Sequence, residues 1–395
     1  MSDLPVDSSS QQQNHHRNIR IVLLGLAAFL YWFCLYVYVP TLPVYVQSKV
    51  ISLAMVGTVL SMYGFWQFIS RLPTGISADR LGRRKPFIIA GLIIVGGGAL
   101  VMGNASGTNG LIIGRALTGI GAATWVPLLV LYTMLFPPEQ IVRATAILTF
   151  IQTLGRIVSS LSTGFLNQMG GYNLAFQISA LSAGIAVILL LVYPERKRVS
   201  TPPSITSLAR IFLKPEVLTP TFLSIILHYA DFSSTVSFIP LLARGFGASD
   251  IYLSGLSSAN LLFALLGNVI ISSLGSRIST KKALIIGFVV LITGLSGAAL
   301  APSLMFLSGA QLLIGLAYGL TYPVLISESI RHVAENERNT AMGLHQSGYA
   351  LGMFAGPWLG GILATALGIQ PMLGATAAIL VILIVLGITR LKKPA

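Results

Sequence analysis

The sequence predicts an all-α integral membrane protein whose twelve transmembrane helices form two pseudo-symmetric six-helix bundles. Of 395 residues, 54% are apolar and 9% charged, against about 25% charged in an ordinary soluble domain. So few charges could not cover a water-soluble surface of this size. Twelve apolar runs follow one another, each near the ~20 residues that a spanning helix needs. One charge- and proline-rich stretch, at 194–216, divides them six and six. Soluble enzymes, secreted disulfide scaffolds and disordered chains are thereby excluded, and the single cysteine, Cys34, leaves no internal disulfide.

Residues 1–20 begin with a Ser- and Gln-rich stretch and are read as a disordered tail. The first bundle is expected over 21–193, with apolar runs at 21–46, 54–78, 86–104, 110–135, 144–167 and 172–193. The run from Ile21 is too long for a signal-peptide core and is followed by further spans, so it is retained. Short connections carrying Gly, Pro, Asn or Ser, as at 104–109 and 301–303, mark helical hairpins. The linker at 194–216 holds Glu195, Arg196, Lys197, Arg198, Pro202, Pro203, Arg210, Lys214 and Pro215. The second bundle is expected over 217–389, with runs at 217–243, 252–274, 283–301, 303–327, 341–366 and 371–389, before a tail at 390–395.

Lys and Arg are retained on the cytoplasmic side of a membrane. With the N-terminus inside, 20 of the 25 basic residues fall on one face; Lys49 and Arg244 lie outside, and Arg71, Arg115 and Arg156 lie within spans. Both termini are therefore expected in the cytoplasm and the chain in a plasma (inner) membrane. The net charge of +14 then records topology and contact with anionic lipid headgroups, and nucleic acid is not an expected partner. The halves echo one another at an offset of 196 to 198 residues: Arg115, Gly119 and Pro127 answer to Gln311, Gly315 and Pro323. A parallel six-span duplication places a substrate site near the bilayer midplane, between halves that rock against each other.

The loop after span 2 reads Gly75-Ile76-Ser77-Ala78-Asp79-Arg80-Leu81-Gly82-Arg83-Arg84-Lys85. It closely resembles the Gly-x-x-x-Asp-Arg-x-Gly-Arg-Arg signature of the major facilitator superfamily, and span count, repeat and linker extend the resemblance over nearly the whole chain. Span 4 adds Arg115-Ala116-Leu117-Thr118-Gly119-Ile120-Gly121-Ala122, similar to the family's Arg-x-x-x-Gly-x-Gly-Ala motif. In the twelve-span drug/proton antiporter branch that arginine is associated with proton coupling, so the resemblance makes Arg115 a coupling candidate.

In physical terms, Gly75 and Gly82 would permit close helix approach and a tight turn. Asp79 could sit at a helix N-terminus of the other half and act as a latch of the cytoplasmic gate, with Arg71, Arg80, Arg83 and Arg84. Headgroup anchoring by the basic cluster is the alternative. The corresponding loop of the second half, Ser276 to Lys282, lacks the Asp. The Gly-x-x-x-Gly-Pro-x-x-Gly-Gly pattern that such antiporters usually carry in span 5 is present instead in span 11, as Gly352, Gly356, Pro357, Gly360 and Gly361. Small residues at that spacing let helices approach.

Ionisable groups inside a membrane are costly and face a partner or a water-filled cavity. Within the spans they are Arg71, Arg115, Arg156, His228, Asp231 and His345, with Glu328 at the end of span 10; spans 3, 6, 9 and 12 have none in their apolar cores. Spacings of three or four residues set His228, Asp231 and Thr235 on one face of span 7, Gln152, Arg156, Ser159 and Thr163 on one face of span 5, and Tyr63, Gln67, Arg71 and Thr74 along span 2. Tyr36, Trp125, Tyr318 and Tyr322 could line a cavity for an amphipathic molecule, or could instead face lipid.

Asp231 is the carboxylate well inside a span, so burial, arginines and substrate can all govern its protonation. His228, one turn away, is of the type that titrates near neutral pH. The expectation is that Asp231 with His228 couples protons, and that Arg156 holds an anionic group of the substrate or alternates as partner of Asp231; a permanent Arg156–Asp231 bridge is the structural alternative. Gln152, Tyr36, Trp125, Tyr318, Tyr322 and Gln67 complete the substrate-binding candidates. His228-x-x-Asp231 lacks the further ligands of a metal site, no phosphate-binding loop is present, and neither a cofactor nor an enzyme activity is expected. The function read is proton-coupled export of small amphipathic organic molecules by a monomer working through alternating access. A permease for an anionic metabolite and a lipid or glycolipid flippase on the same scaffold are the alternatives.

Overall fold

A computed structural model describes residues 8–195, 197, 205–331, 333 and 337–389. Arg196, Arg198, Pro202, Pro203 and the expected tail at 390–395 lie outside the described residues, as do residues 1–7; the helix of the first span begins at Ser8, within the stretch read as a tail.

The helices are α1 (Ser8–Tyr36), α2 (Leu42–Gln47), α3 (Leu53–Leu81), α4 (Lys85–Gly103), α5 (Thr108–Ala122), α6 (Trp125–Thr133), α7 (Ile141–Val192), α8 (Ile205–Phe212), α9 (Pro215–Ser233), α10 (Ile239–Gly245), α11 (Asp250–Leu274), α12 (Thr280–Ala299), α13 (Leu304–Arg331), α14 (Arg338–Leu367) and α15 (Ile369–Thr389). Eleven helical segments among the described residues are long and apolar enough to cross a membrane. They make twelve spans because α7 contains two. Its course breaks at Gly170 and at Gly171, whose φ of 67° is left-handed, a conformation open to glycine at little cost.

Prolines explain the other interruptions. A proline ring collides with the carbonyl four residues back, and span 4 divides into α5 and α6 at Ala123 and Thr124, just ahead of Pro127. Pro40 is the second residue of a 3-10 turn, Val39–Thr41, between α1 and α2. Span 7 relieves Pro240 by a π-helical turn over Ser234–Phe238 between α9 and α10, and such turns recur at functional sites. This one begins three residues after Asp231.

The packing repeats. In the first half α1 lies on α7, α3 on α5, and α4 on both α5 and α7; in the second α9 lies on α14, α11 on α13, and α12 on both α13 and α15. Spans 3, 6, 9 and 12 turn residues such as Ile93, Ile188, Val289 and Ile382 outwards, in keeping with a peripheral position. The halves meet along α3 against α14 and α7 against α11. The first seam is a backbone contact: a Cβ on Gly57 would lie 2.1 Å from the Pro357 carbonyl oxygen, and one on Gly361 2.7 Å from that of Leu53.

At the end carrying the basic loops, α8 is an amphipathic element inside the linker. Leu208 and Ile211 bury against Val217, Ala341 and Leu344, with Leu72 and Ile76 of α3 alongside. Glu337 anchors the junction by accepting from Lys214 Nζ (2.7 Å) and Arg210 Nη2 (3.3 Å).

Candidate functional site

Arg156 of α7 and Asp231 of α9 face one small cavity of about 50 Å³ at the junction of the halves, lined also by Tyr36, Thr235, Asn260 and Gln311. Neither is in a salt bridge among the described residues. The bridge weighed from the sequence is therefore not formed in this conformation. The Arg156 guanidinium lies over the Tyr36 ring, 4.4 Å from its centroid, and 5.9 Å from that of Trp32. Arg156 Nε, Thr235 Oγ1 and Gln311 Oε1 are buried without a hydrogen-bond partner. Buried polar atoms are rarely left unpaired, so three around one cavity mark a place for polar atoms that move. A cavity of this size holds a few waters; an organic molecule needs the halves to part.

Asp231 owes its position to α9, and Thr235 to the π turn that follows. One turn before Asp231, His228 is locked: its Nδ1–H donates to the Ser224 carbonyl (2.8 Å) and its Nε2 accepts from the Tyr318 hydroxyl (3.1 Å). The carbonyl can only accept, which assigns this tautomer. Tyr349 stacks on the imidazole at 4.0 Å with a 4° interplanar angle, while Tyr318 and Tyr322 meet it edge-on. His345 sits behind. Thr221 gives its proton to the Val217 carbonyl, so it accepts from His345 Nδ1 (3.0 Å), and Ser224 donates to Nε2 (3.2 Å). Ser224 thus serves both histidines, one through its hydroxyl and one through its carbonyl.

The remaining candidates are spread around this centre. Gln152 is half-buried one turn from Arg156 and outside the cavity lining. Trp125 joins Trp32 edge-on (5.1 Å) and so backs the Arg156 cluster. Arg115 is buried over the Tyr63 ring at 4.4 Å, and Tyr63 stacks on Phe232; it is near Asp231 through these rings, not beside it. Arg71 binds across the halves, Nη1 to the Gln346 carbonyl (2.5 Å) and Nη2 to Gln67 Oε1 (2.7 Å), so Gln67 supports the arginine. Gly352 and Gly356 pack on the backbone of α9 at Ile225 and Tyr229, Gly360 on Ser233 and Phe238, and Gly361 and Pro357 on α3.

The expected latch differs. Asp79 pairs with Arg84 Nη2 at 2.6 Å, within its own half, because the buried Arg84 five residues on reaches the carboxylate first; Arg80 and Arg83 are exposed. Glu195 fastens the same loop by accepting from the Arg84 amide (2.6 Å) and the Lys85 amide (3.2 Å). Gly82 makes the anticipated turn at φ 67°, but a Cβ on Gly75 would meet nothing, so no close helix approach depends on it here.

Sequence reasoning passed over Tyr349, Asn167, Thr41 and Asp250. Tyr349 is one ordinary aromatic among many, and its stacking on His228 is a contact between α14 and α9 that no spacing announces. Asp250 and Asn167 stand at span ends, where polar residues are unremarked. At the end away from the basic loops Asn167 Nδ2 donates to Asp250 Oδ2 (2.7 Å) and Thr41 Oγ1 (3.0 Å), Tyr172 reaches Asp250 Oδ1 at 3.5 Å, and Arg244 also donates to Asp250.

The sequence matches the family described as Major Facilitator Superfamily over residues 24–223 and 221–395. It is 25% identical to the inner membrane transport protein YajR of Escherichia coli, over 78% of this chain and 69% of that one. It is also 25% identical to a chloramphenicol efflux pump of Mycobacterium tuberculosis, over 87% and 85%, and 24% identical to multidrug resistance protein 2 of Bacillus subtilis, over 89% and 90%. Among solved structures, a bacterial homologue of the human lysosomal transporter Spinster, inward-facing and unoccupied, superposes with a TM-score of 0.78 at 18% identity, covering 96% of this chain and 99% of that one.

Proposed function

Because this chain belongs to the major facilitator superfamily and is a multi-pass membrane transporter, we propose that it exports small amphipathic organic molecules in exchange for protons, by alternating access. Asp231 is the proton site. The observation that supports this is the unbridged pair: Arg156 and Asp231 share a cavity in which Arg156 Nε and Gln311 Oε1 are buried without a hydrogen-bond partner within the protein. A carboxylate in that position can bind a proton or the polar group of a substrate, and mutual exclusion of the two is what exchange requires. Tyr36, Tyr318 and Tyr322 supply amphipathic surface, and Arg156 on Tyr36 is held by the ring quadrupole, free to turn between Asp231 and a ligand. His228, with both nitrogens committed, positions the Tyr318 hydroxyl. Arg71 and Gln67 tie the halves at the basic end. A relative named as a chloramphenicol efflux pump accords with the direction, and one named as a multidrug resistance protein with the substrate class.

Chloramphenicol, taken from a relative's name, is the first probe. Accumulation in everted vesicles under an imposed pH gradient should be lost in Asp231→Asn; undiminished gradient-driven accumulation would refute the coupling role. A second reading, a permease for an anionic metabolite, draws on Arg156 and Arg115, neither of which has a carboxylate partner among the described residues. There the linkage has the opposite sign. Protonating Asp231 removes a negative charge from the cavity that Arg156 shares, so an anionic substrate would bind more tightly as pH falls, whereas an exchanged substrate binds more weakly.

A further inference from the structure

We propose that Asp250 and Asn167 form the clasp that closes the transport path at the end away from the basic loops. The two residues come from different halves: Asn167 from the end of span 5 in α7, Asp250 from the first turn of α11. Their hydrogen bond (2.7 Å) joins side chains across that seam, with the Tyr172 hydroxyl reaching the same carboxylate from the first half and the Ser258 hydroxyl donating to the Ile157 carbonyl (3.4 Å) deeper along it. Beneath it the backbones touch, since a Cβ on Gly164 would lie 2.5 Å from Ile251 Cα and 2.7 Å from the Asp250 carbonyl oxygen.

Each side is built to survive separation. Asp250 keeps Arg244 of its own half and the N-terminal dipole of α11, so no charge is stranded when the halves part. Asn167 keeps the Thr41 hydroxyl (3.0 Å), also of its own half. The side-chain bonds of this carboxylate that must break are therefore Asn167–Asp250 and Tyr172–Asp250, beside the Ala54 amide to Thr365 hydroxyl bond (2.8 Å) that also crosses the halves at this end. A hydrogen bond to a charged group is strong enough to bias two conformations and weak enough to be opened in each cycle. At the basic end the carboxylate of the recognised loop, Asp79, is held inside its own half by Arg84. The Asp250 carboxylate thus bridges the halves at the end away from the basic loops, whereas the basic end is tied by Arg71 to the Gln346 carbonyl (2.5 Å).

The test reads conformation, with no substrate and no proton gradient, so it stands apart from the exporter proposal. Spin labels are placed at the exposed Ile51 and Met305, on opposite halves at this end, in the full-length protein in lipid nanodiscs; Cys34 is fully buried and is replaced by Ser. Asn167→Ala should raise the population of the longer distance, relative to the closed one, about tenfold to a hundredfold, and Asn167→Asp should raise it further by setting two carboxylates together. The exchanged pair, Asn167→Asp with Asp250→Asn, restores an acid–amide bond and should return the distribution towards the parent. Tyr172→Phe, which removes one peripheral hydroxyl, should shift it the same way by less. Single variants indistinguishable from the parent, or an exchanged pair that behaves as the sum of its singles, would overturn the clasp.

Discussion

Substituting Gly57 by Ala tests the seam between the halves without touching the cavity. The new methyl carbon would lie 2.1 Å from the Pro357 carbonyl oxygen and 2.9 Å from Gly361 Cα, whereas non-bonded atoms settle near ~3.5 Å. Both obstacles are backbone, so α3 and α14 must part by about 1 Å or more at this level. Gly57 lies in the second turn of α3, at the end away from the basic loops, and overpacking of this kind costs about 1–3 kcal/mol, borne by the conformation in which that end is closed. Ala also favours helix over Gly by about 1 kcal/mol, but that gain is common to both conformations and cancels in their ratio. The open-to-closed ratio at this end should rise by about five- to 150-fold, at 1.4 kcal/mol per factor of ten. Spin-label distances between Ile51 and Met305 measure it. Gly75→Ala is the matched control, since its Cβ meets nothing: it should leave the ratio unchanged and raise thermal stability slightly. A Gly57→Ala distribution identical to that of Gly75→Ala would refute the claim that α3 and α14 are in backbone contact in the resting state.

Two further outcomes follow from named contacts. His228→Gln removes an imidazole whose two nitrogens satisfy the Ser224 carbonyl and the Tyr318 hydroxyl, so unfolding in detergent should occur with about 1–3 kcal/mol less stability while the pH dependence of chloramphenicol binding persists; its disappearance would place the proton on His228. At the basic end the Lys214 ammonium, by its hydrogen bond to Glu337, holds that carboxyl below its ordinary value of 4.5. A lowered folded-state value stabilises above 4.5 and is lost as pH falls through the folded value. Hydrogen exchange in α8 should therefore quicken in that acid range in the parent and show no such step in Glu337→Gln; an unchanged step would remove Glu337 from the docking of the linker helix.

Much of the architecture was legible because the bilayer imposes it. Apolar length marks a span whatever its neighbours do, and the duplication appears as matched positions such as Arg115 with Gln311. Where local chemistry decides, reading also served: Gly82 makes its turn. The site was legible as a set of expensive side chains, and Arg156 and Asp231 do share a cavity. What could not be read was which partner each polar group takes. Asp79 was expected to reach the other half, but a buried arginine five residues on competes for it. His228 and Asp231 share a helix face by spacing, yet Tyr318 and Tyr349, arriving from α13 and α14, give them different surroundings. The Asn167–Asp250 joint spans 83 residues and carries no periodicity at all.

The central claim is that Asp231 exchanges a proton for substrate. Purified protein in weakly buffered detergent solution with a pH indicator should release protons when chloramphenicol is added, in amounts that saturate with binding, and Asp231→Asn should bind without release. Equal proton release from the parent and from Asp231→Asn would contradict the account.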